Sequence, residues 1–477
     1  MTAAILAMLL LTLALGGGIW AVACGVPRRA PELTAALGPS FVLGSCAAGM
    51  LLGLAKATPG NGMWDLLWPS ILGAIVVLWT FAWWWGTRKT ARVSVVSEAQ
   101  PLPGWAWMLL ALLVVHGVLI SDEAWLRPIF PWDAWLAWSA KAKAWYTGSQ
   151  LQGFVGPDAW LADRTGRMRT SLAYHYPELL ARIELWFTAP AAAWNEAAIG
   201  LSWPLLWLAL LMGCYSQWRS LGVAPGLGVA GVYALGSLPL LNVHAALAGY
   251  ADLWLAVVLV FAVLEWQLFL RTRARGRLLL SCLFLLFAGL FKFEGFAWGL
   301  LLVGTMVFGE VPARHRWKGL AAAILVALLL LGLSYALELP WIGMVRRLLN
   351  GEAGGREASS WWPVLRALVS GLLAQNNWHL LWLCLPALVL WRWRALLENR
   401  DLGLLALYLL GALSIVAALF LLTPAAKWAE SNTAINRLVL QLVPIAVSLI
   451  VLLLRDVDFY LESSGTDPVS AEQPVAE

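Results

Sequence analysis

Apolar runs of about 20 residues recur along the chain, and this pattern limits its possible folds more than any other feature. The sequence is 61% hydrophobic and only 12% charged, and a water-soluble protein of this length could not bury so many apolar residues in its core. The pattern therefore predicts an all-α polytopic membrane protein with about thirteen transmembrane helices. The predicted spans are 4–24, 38–56, 65–86, 104–120, 196–217, 223–242, 251–270, 278–291, 295–309, 318–338, 378–391, 402–422 and 437–454. The runs 278–291 and 295–309 also fit one interrupted hairpin, which leaves the count open by one or two.

Positive charges predict the orientation of these helices, because Lys and Arg in short loops favour the cytoplasmic side. One set of alternate loops carries Arg28, Arg29, Arg88, Lys89, Arg92, Arg219, Arg271, Arg273, Arg275, Arg277, Arg314, Arg316, Lys318, Arg392, Arg394, Arg400 and Arg455. The other set contains the long connections 121–195 and 339–377, which are therefore predicted to be external. This arrangement explains the net charge of +5 without a nucleic-acid partner.

The same topology divides the chain into three parts. Residues 1–103 are predicted to form three transmembrane helices, and residues 104–455 form a core with both long external loops. Residues 456–477, rich in Ser, Glu and Pro, are predicted to be a disordered cytoplasmic tail. The first apolar run lacks a basic n-region, so we interpret it as a retained helix rather than a signal peptide.

Residues 132–146 in the first external loop predict an amphipathic interfacial helix. At 100° per residue, one face carries Trp135, Trp138, Ala142 and Trp145. The opposite face carries Asp133, Ala137, Ala140 and Ala144, with Lys141 and Lys143 on its flanks. Such a stripe leaves room for a substrate beside one carboxylate. The alternatives are that Asp133 only caps this helix, and that the two lysines face solvent or lipid phosphates.

This residue set is sufficient for sugar transfer from a polyprenyl phosphate. That reaction needs a carboxylate to accept the proton of the attacking hydroxyl, and cations to hold the leaving phosphate. The phosphate leaves as a stable anion, so no general acid is required. Asp133 is the predicted base, and Asp122 and Glu123, which lie closer to the preceding span, are rival candidates.

The order of the polar motifs resembles the GT-C superfamily of membrane glycosyltransferases, in particular the glycosyltransferase family 39-like branch of dolichyl-phosphate-mannose and aminoarabinose transferases. The motifs are Asp133 with the helix through Tyr146, Tyr176-Pro177-Glu178-Leu179, Gly249-Tyr250-Ala251-Asp252, Lys292-Phe293-Glu294-Gly295, and the stretch 436–444 that contains Arg437. The resemblance covers residues 104–454. It departs from the family pattern at Ala134, where many relatives have Glu, and at Glu178, where they have a second Pro.

The resemblance implies a GT-C-like fold and an inverting glycosyltransferase of the bacterial inner membrane, with its site on the periplasmic side. The implied partners are the lipid bilayer, a polyprenyl-phosphate-linked sugar donor, and a glycan, lipid or protein acceptor. Residues expected to bind the donor phosphate are Arg437, Lys292, Lys141 and Lys143. Residues expected to bind substrate are Trp138, Tyr176, Glu178, Asp252, Glu294, Arg346 and Arg347.

Several of these charged residues also have structural explanations. A charge at mid-bilayer costs about 2.5–3.5 kcal/mol, so it needs a partner or a task. The structural alternatives are mutual or neighbouring salt bridges for Lys292 and Glu294, helix capping for Asp252, and snorkelling to lipid head groups for Arg437. Arg346 and Arg347 precede a Gly-rich stretch typical of a lid or of a mobile connector. No cofactor is expected, since the sequence lacks the clustered carboxylates of a divalent-metal site and its cysteines lack metal-ligand spacing.

Two other functions use similar residues. One is an oligosaccharide ligase or polymerase acting on a diphosphate-linked lipid. The other is a non-enzymatic flippase or transporter of lipid-linked sugars, which should show polar residues at mid-depth and repeated halves. In this chain the polar residues gather at the predicted external end. The sequence does not identify the sugar or the acceptor.

Overall fold

The computed structural model describes residues 2–55, 63–88, 101–148, 151, 153–189, 193–315, 317–319, 361–423, 425–431 and 434–464, together with isolated positions between 321 and 336. The structure is 82% helical and contains no strand in these ranges, which confirms the all-α prediction. The helices are α1 (Thr2–Cys24), α2 (Ala30–Ala55), α3 (Met63–Arg88), α4 (Gly104–Leu126), α5 (Trp132–Leu136), α6 (Ser139–Gly148), α7 (Pro157–Ala162), α8 (Leu179–Thr188), α9 (Glu196–Gly200), α10 (Ser202–Ser220), α11 (Pro225–Gly236), α12 (Pro239–Ala246), α13 (Ala251–Thr272), α14 (Arg275–Phe291), α15 (Phe293–Glu310), α16 (Trp361–Val369, continued by a π-helical turn Ser370–Ala374), α17 (Leu381–Trp391), α18 (Trp393–Glu398), α19 (Arg400–Leu422), α20 (Ala426–Glu430), α21 (Ile435–Leu440) and α22 (Val443–Ser464).

The chain is a multi-pass membrane protein by the length and composition of its helices. In the described ranges, eight helices are long and apolar enough to cross a bilayer, and a ninth span results if α11 and α12, bent by 66°, count as one. The predicted number of thirteen is not confirmed. The runs at 278–291 and 378–391 form helices too short to meet this test, and the run at 437–454 contributes only the shorter apolar segment Val443–Arg455 of α22. Most of 318–338 lies outside the described residues.

The helices α1 and α2 pack closely because glycines lie at the surface where they contact each other. A Cβ atom at Gly16 would lie 1.8 Å from the carbonyl oxygen of Ser40, and one at Gly44 would lie 1.9 Å from that of Thr12. Small residues allow this approach in membranes, where van der Waals packing replaces the hydrophobic effect as the force between helices. The pair packs in turn on α10 and α8.

Helix α13 forms the centre of the bundle. Within its membrane-length window 94% of the residues are buried, compared with 17% in α4. Its run of Leu, Val, Ala and Phe contacts α10, α14, α15 and α22, so apolar side chains are covered on all sides. A helix buried in this way can hold a charged residue at its end only if other protein groups satisfy the charge.

One end of the bundle gathers the basic residues that the sequence predicts to be cytoplasmic. Arg271 and Arg455 both donate hydrogen bonds to the carbonyl oxygen of Leu221. Arg273 pairs with Glu310 at 2.9 Å, and Arg400 pairs with the same carboxylate at 3.2 Å.

The opposite end carries the polar motifs. Asp252 lies in the first turn of α13, whose last turn carries Arg271. Lys292 lies at the end of α14, whose first residue is Arg275. Acidic and basic motif residues therefore meet at the end of the bundle farthest from the predicted cytoplasmic arginines.

The first long loop differs from its prediction in two ways. Helix α4 continues to Leu126, so Asp122 and Glu123 belong to its last turns and not to the loop. The single helix predicted for 132–146 is broken: α5 ends at Leu136, Ala137 adopts φ −117°, and α6 begins at Ser139. The break allows Trp138 and Trp145 to enter the protein core while Trp135 remains 58% exposed.

The C-terminal boundary also differs from the prediction. Helix α22 continues to Ser464, so the first residues of the predicted tail are helical. Residues 465–477 lie outside the described residues.

Candidate active site

Asp252 is the buried centre of a group of ion pairs. Its side chain is completely buried, and its Oδ1 accepts hydrogen bonds from Lys292 Nζ at 2.9 Å and from Gln441 Nε2 at 2.7 Å. Its Oδ2 accepts two hydrogen bonds from Arg437, at 2.9 Å from Nε and 2.6 Å from Nη2. Every acceptor oxygen of this carboxylate is therefore engaged, as a charge removed from water requires.

Arg437 joins the buried part of the group to its surface. The same Nη2 that binds Asp252 also pairs with Asp133 Oδ2, and the guanidinium carbon lies 4.8 Å from the centre of the Tyr250 ring. The Arg437 side chain is 24% exposed, and that of Asp133 is 26% exposed. In a group whose other cation is buried, Arg437 is thus the cation that an external anion can reach first.

Lys292 reaches Asp252 because the chain leaves helical geometry between α14 and α15. Its backbone is extended, with φ −152° and ψ 158°, and its ammonium group pairs with Asp252 at 2.9 Å and with Glu294 at 3.1 Å. Lys292 is only 4% exposed. It therefore fixes the two carboxylates from a position almost closed to solvent.

Asp133 is positioned by the docking of the short helix α5 against the turn before α13. Gly249 in that turn has φ +114°, and a Cβ atom there would lie 2.4 Å from the Ala134 side chain. Trp135 Nε1 donates to the carbonyl oxygen of Ile129, and Ile129 N donates to Glu196. The glycine in the sequence motif is explained by both its backbone angle and this close approach.

Aromatic rings form a wall beside the ion pairs. Tyr176 lies 5.2 Å from Phe293 and 5.8 Å from Trp138, measured between ring centres, and His175 stacks on Phe293 at 5.9 Å. Burial raises the pKa of Tyr176 to about 12, and the negative charge of Glu294 adds to this rise. Tyr176 therefore keeps its phenolic proton at physiological pH and can donate a hydrogen bond.

Sequence reasoning missed several residues of this region. Gln441 accepts a hydrogen bond from Trp298 Nε1 at 2.8 Å while it donates to Asp252, and His244 lies 4.8 Å from the Tyr250 ring. Asn436 donates to Gln375 at 2.6 Å beside Arg437. The spacing of four residues between Arg437 and Gln441 was the available signal, because it places both on one helical face.

Other predicted residues lie elsewhere. Lys141 is completely buried, and its ammonium group donates to the carbonyl oxygens of Tyr174 and Tyr176 at 3.1 and 3.0 Å. It therefore holds the backbone of the loop. Lys143 is exposed and lies 3.5 Å from Glu196. Glu178 pairs with Arg182 at 2.6 Å.

The rival bases are also separate from the ion pairs. Glu123 pairs with Arg127 one turn along α4, and Asp122 is exposed. Arg346 and Arg347 lie outside the described residues. The structure thus brings together Asp133, Asp252, Lys292, Glu294 and Arg437, flanked by Trp138 and Tyr176.

The group contains three carboxylates and two cations, which gives one net negative charge. Within the part of the chain that the structure describes, no three His, Cys, Asp or Glu side chains converge in an arrangement that could hold a metal ion. The arrangement offers a partly exposed carboxylate for proton transfer, next to a guanidinium that can bind an anion.

No model of a known protein family matches this chain, and comparisons with curated proteins and with solved structures find no similar one. The geometry of the site is therefore the basis on which its function is inferred.

Proposed function

We propose that the protein is an inverting membrane glycosyltransferase that moves a sugar from a polyprenyl-phosphate donor to an acceptor hydroxyl. The observation that supports this proposal is the contact of Asp133 with Arg437, because it places a partly exposed carboxylate beside a partly exposed guanidinium. A reaction that removes a proton from a hydroxyl and releases a phosphate needs these two groups side by side.

Asp133 is the proposed base. Its carboxylate accepts the proton of the acceptor hydroxyl while the acceptor oxygen bonds to the anomeric carbon of the sugar. The bond between that carbon and the phosphate oxygen breaks with inversion, and its electrons leave with the polyprenyl phosphate. Arg437 stabilises the charge that develops on this phosphate.

Asp252 and Lys292 have a supporting role in this scheme. Asp252 holds Nε and Nη2 of Arg437, and Lys292 holds Asp252, so the guanidinium is oriented before a substrate binds. Prepositioned charges stabilise a transition state without paying for reorganisation at the moment of reaction. The aromatic wall of Trp138 and Tyr176 provides apolar faces and a phenolic donor for a sugar ring.

We place this reaction at the external face of a bacterial inner membrane, with the C-terminus cytoplasmic. Support comes from the position of the ion pairs at the end of the bundle opposite Arg271, Arg273 and Arg455. Loops rich in Lys and Arg favour the cytoplasmic side, so the other end faces outward.

The test is a transfer assay with purified protein in lipid nanodiscs. Radiolabelled polyprenyl-phosphate sugars and a membrane extract as acceptor source should give labelled product with the wild type and none with Asp133→Asn. A diphosphate-linked donor in parallel tests the ligase alternative. Movement of intact labelled donor across proteoliposomes without glycosidic bond cleavage would identify a flippase and contradict the proposal.

A further inference from the structure

We infer that Asp133 and the donor phosphate compete for the same nitrogen of Arg437, so that donor binding is what releases the catalytic base. This inference rests on the proposed function and adds an order to it: the donor binds before the acceptor is activated. It follows from which of the two carboxylates on Arg437 is able to move.

Asp252 is the partner of Arg437 that cannot leave. It is completely buried at the start of α13, and Lys292 and Gln441 hold its other oxygen at 2.9 and 2.7 Å. Withdrawing it from Arg437 would leave its buried Oδ2 atom without a hydrogen-bond partner where water cannot reach it. An incoming phosphate therefore does not replace Asp252.

Asp133 is the partner that can leave. It sits on the five-residue helix α5 in the external loop, and its side chain is 26% exposed. Among the described residues, Arg437 is the hydrogen-bond partner of its carboxylate. An Asp133 carboxylate that moves away from Arg437 can be solvated, so its release costs far less than that of Asp252.

The charge of the group favours this exchange. The ion pairs already carry one net negative charge, and a phosphodiester adds another within contact distance of Asp133 and Asp252. Like charges this close repel strongly where water is partly excluded. Movement of Asp133 away from Arg437 relieves this repulsion. A phosphate oxygen can then take the place of the Asp133 oxygen on Nη2.

The exchange also has a chemical consequence. The Oδ2 atom of Asp133 accepts the hydrogen bond from Arg437, so this oxygen can take the acceptor's proton only after that contact is broken. This oxygen of Asp133 becomes available to accept a proton once the phosphate takes its place on Nη2 of Arg437. Donor binding therefore increases the capacity of Asp133 to accept the acceptor's proton.

The decisive experiment measures equilibrium binding of undecaprenyl phosphate to the full chain in nanodiscs. Removing the competing carboxylate in Asp133→Asn should tighten binding about tenfold, although the same variant loses transfer. Asp122→Asn, which changes an exposed carboxylate on α4, is the matched control and should bind like the wild type. Equal or weaker binding by Asp133→Asn, with the wild type still binding, overturns the competition and leaves the proposed function standing.

Hydrogen–deuterium exchange on the wild type gives an independent readout that needs no variant of Asp133. Adding undecaprenyl phosphate should increase exchange in α5, because the tether to Arg437 is released. Unchanged or reduced exchange in α5 at saturating lipid would contradict the inference. Absence of lipid binding by both the wild type and Asp133→Asn would remove the proposed function as well.

Discussion

Arg437 donates two hydrogen bonds to a single oxygen of Asp252, a residue 185 positions away in the sequence, at 2.6 and 2.9 Å. This pair joins the start of α13 to the segment before α22. It also fixes the direction of the guanidinium, so that Nη2 is presented to Asp133 on the external loop. Each prediction below changes one part of this arrangement.

Asp133→Asn should abolish transfer and leave the protein folded, because Asn cannot accept the acceptor's proton. We expect a loss of about 10²- to 10⁴-fold in turnover, the usual contribution of a general base. Turnover is measured with saturating donor, and folding by the thermal unfolding midpoint in detergent. Glu123→Gln is the control and should keep its activity, since Glu123 pairs with Arg127 and not with Arg437.

Arg437→Lys should raise the KM for the donor, since lysine cannot bind Asp252 and an anion with one planar fork. A lost charge-assisted hydrogen bond is worth about 1.5–3 kcal/mol, so we expect roughly a 10- to 100-fold weaker donor interaction. Arg273→Lys changes an exposed guanidinium paired with Glu310 at the other end of the bundle. If both variants raised the KM equally, Arg437 would have no special role in donor binding.

Lys292→Met should destabilise the protein by about 3–5 kcal/mol, because it leaves the buried Asp252 with one cation fewer. The measurement is the thermal midpoint, together with the fraction of monodisperse protein after detergent extraction. Lys143→Met removes an ammonium group that is 57% exposed and lies 3.5 Å from Glu196, so it should have no measurable effect. A thermal midpoint of Lys292→Met equal to that of the wild type would mean that Asp252 is satisfied without Lys292.

Gly249→Ala should reduce turnover more than it reduces stability, since its Cβ atom pushes on Ala134 and moves the helix that carries Asp133. The positive φ of Gly249 adds backbone strain to this displacement. Gly153→Ala is the control, because a Cβ atom there meets nothing within 4 Å. Normal turnover in Gly249→Ala would show that the position of α5 is not critical.

Glu184 makes stability depend on pH. Burial raises its pKa to about 8, against a smaller lowering by the Ser139 hydroxyl. The folded state therefore binds this proton more tightly than the unfolded state, whose Glu pKa is about 4.3. Stability is highest below the unfolded value, falls as the pH rises towards 8, and levels off above it.

Glu184→Gln should remove this dependence, since Gln stays neutral. Relative to the wild type, the variant should gain stability as the pH is raised from 5 to 9, with the increase in its thermal midpoint measured at each pH. A constant difference between the two proteins across that range would contradict the raised pKa of Glu184.

Periodicity and composition were enough to predict the helical membrane class, because a bilayer satisfies no backbone polar group and demands long apolar helices. The resemblance to the GT-C superfamily, and not periodicity or composition, singled out Asp133, Asp252, Lys292 and Arg437 as motif residues. The break at Ala137 could not be predicted, since the side chains of 132–146 are compatible with one continuous helix. Burial of Trp138 and Trp145 in the folded loop outweighs that local preference.

Lys141 shows why the contacts of a predicted site residue can escape sequence reasoning. A lysine between alanines on an amphipathic helix is expected to face water or lipid, yet its ammonium group is buried on two carbonyl groups. These acceptors belong to residues more than thirty positions away, and no local pattern reports them. Gln441 also has distant partners, Asp252 and Trp298, and its spacing of four residues from Arg437 was the available local signal.

The amino-acid sequence by itself determined that this protein has helices suited to a lipid bilayer, and which of its residues carry charge. Both follow from local composition, because hydrophobic transfer and helix length depend on it. Only the tertiary structure decided which charges meet. Contacts such as that between Arg437 and Asp133 close a loop of 304 residues, and their geometry depends on the packing of every helix between them.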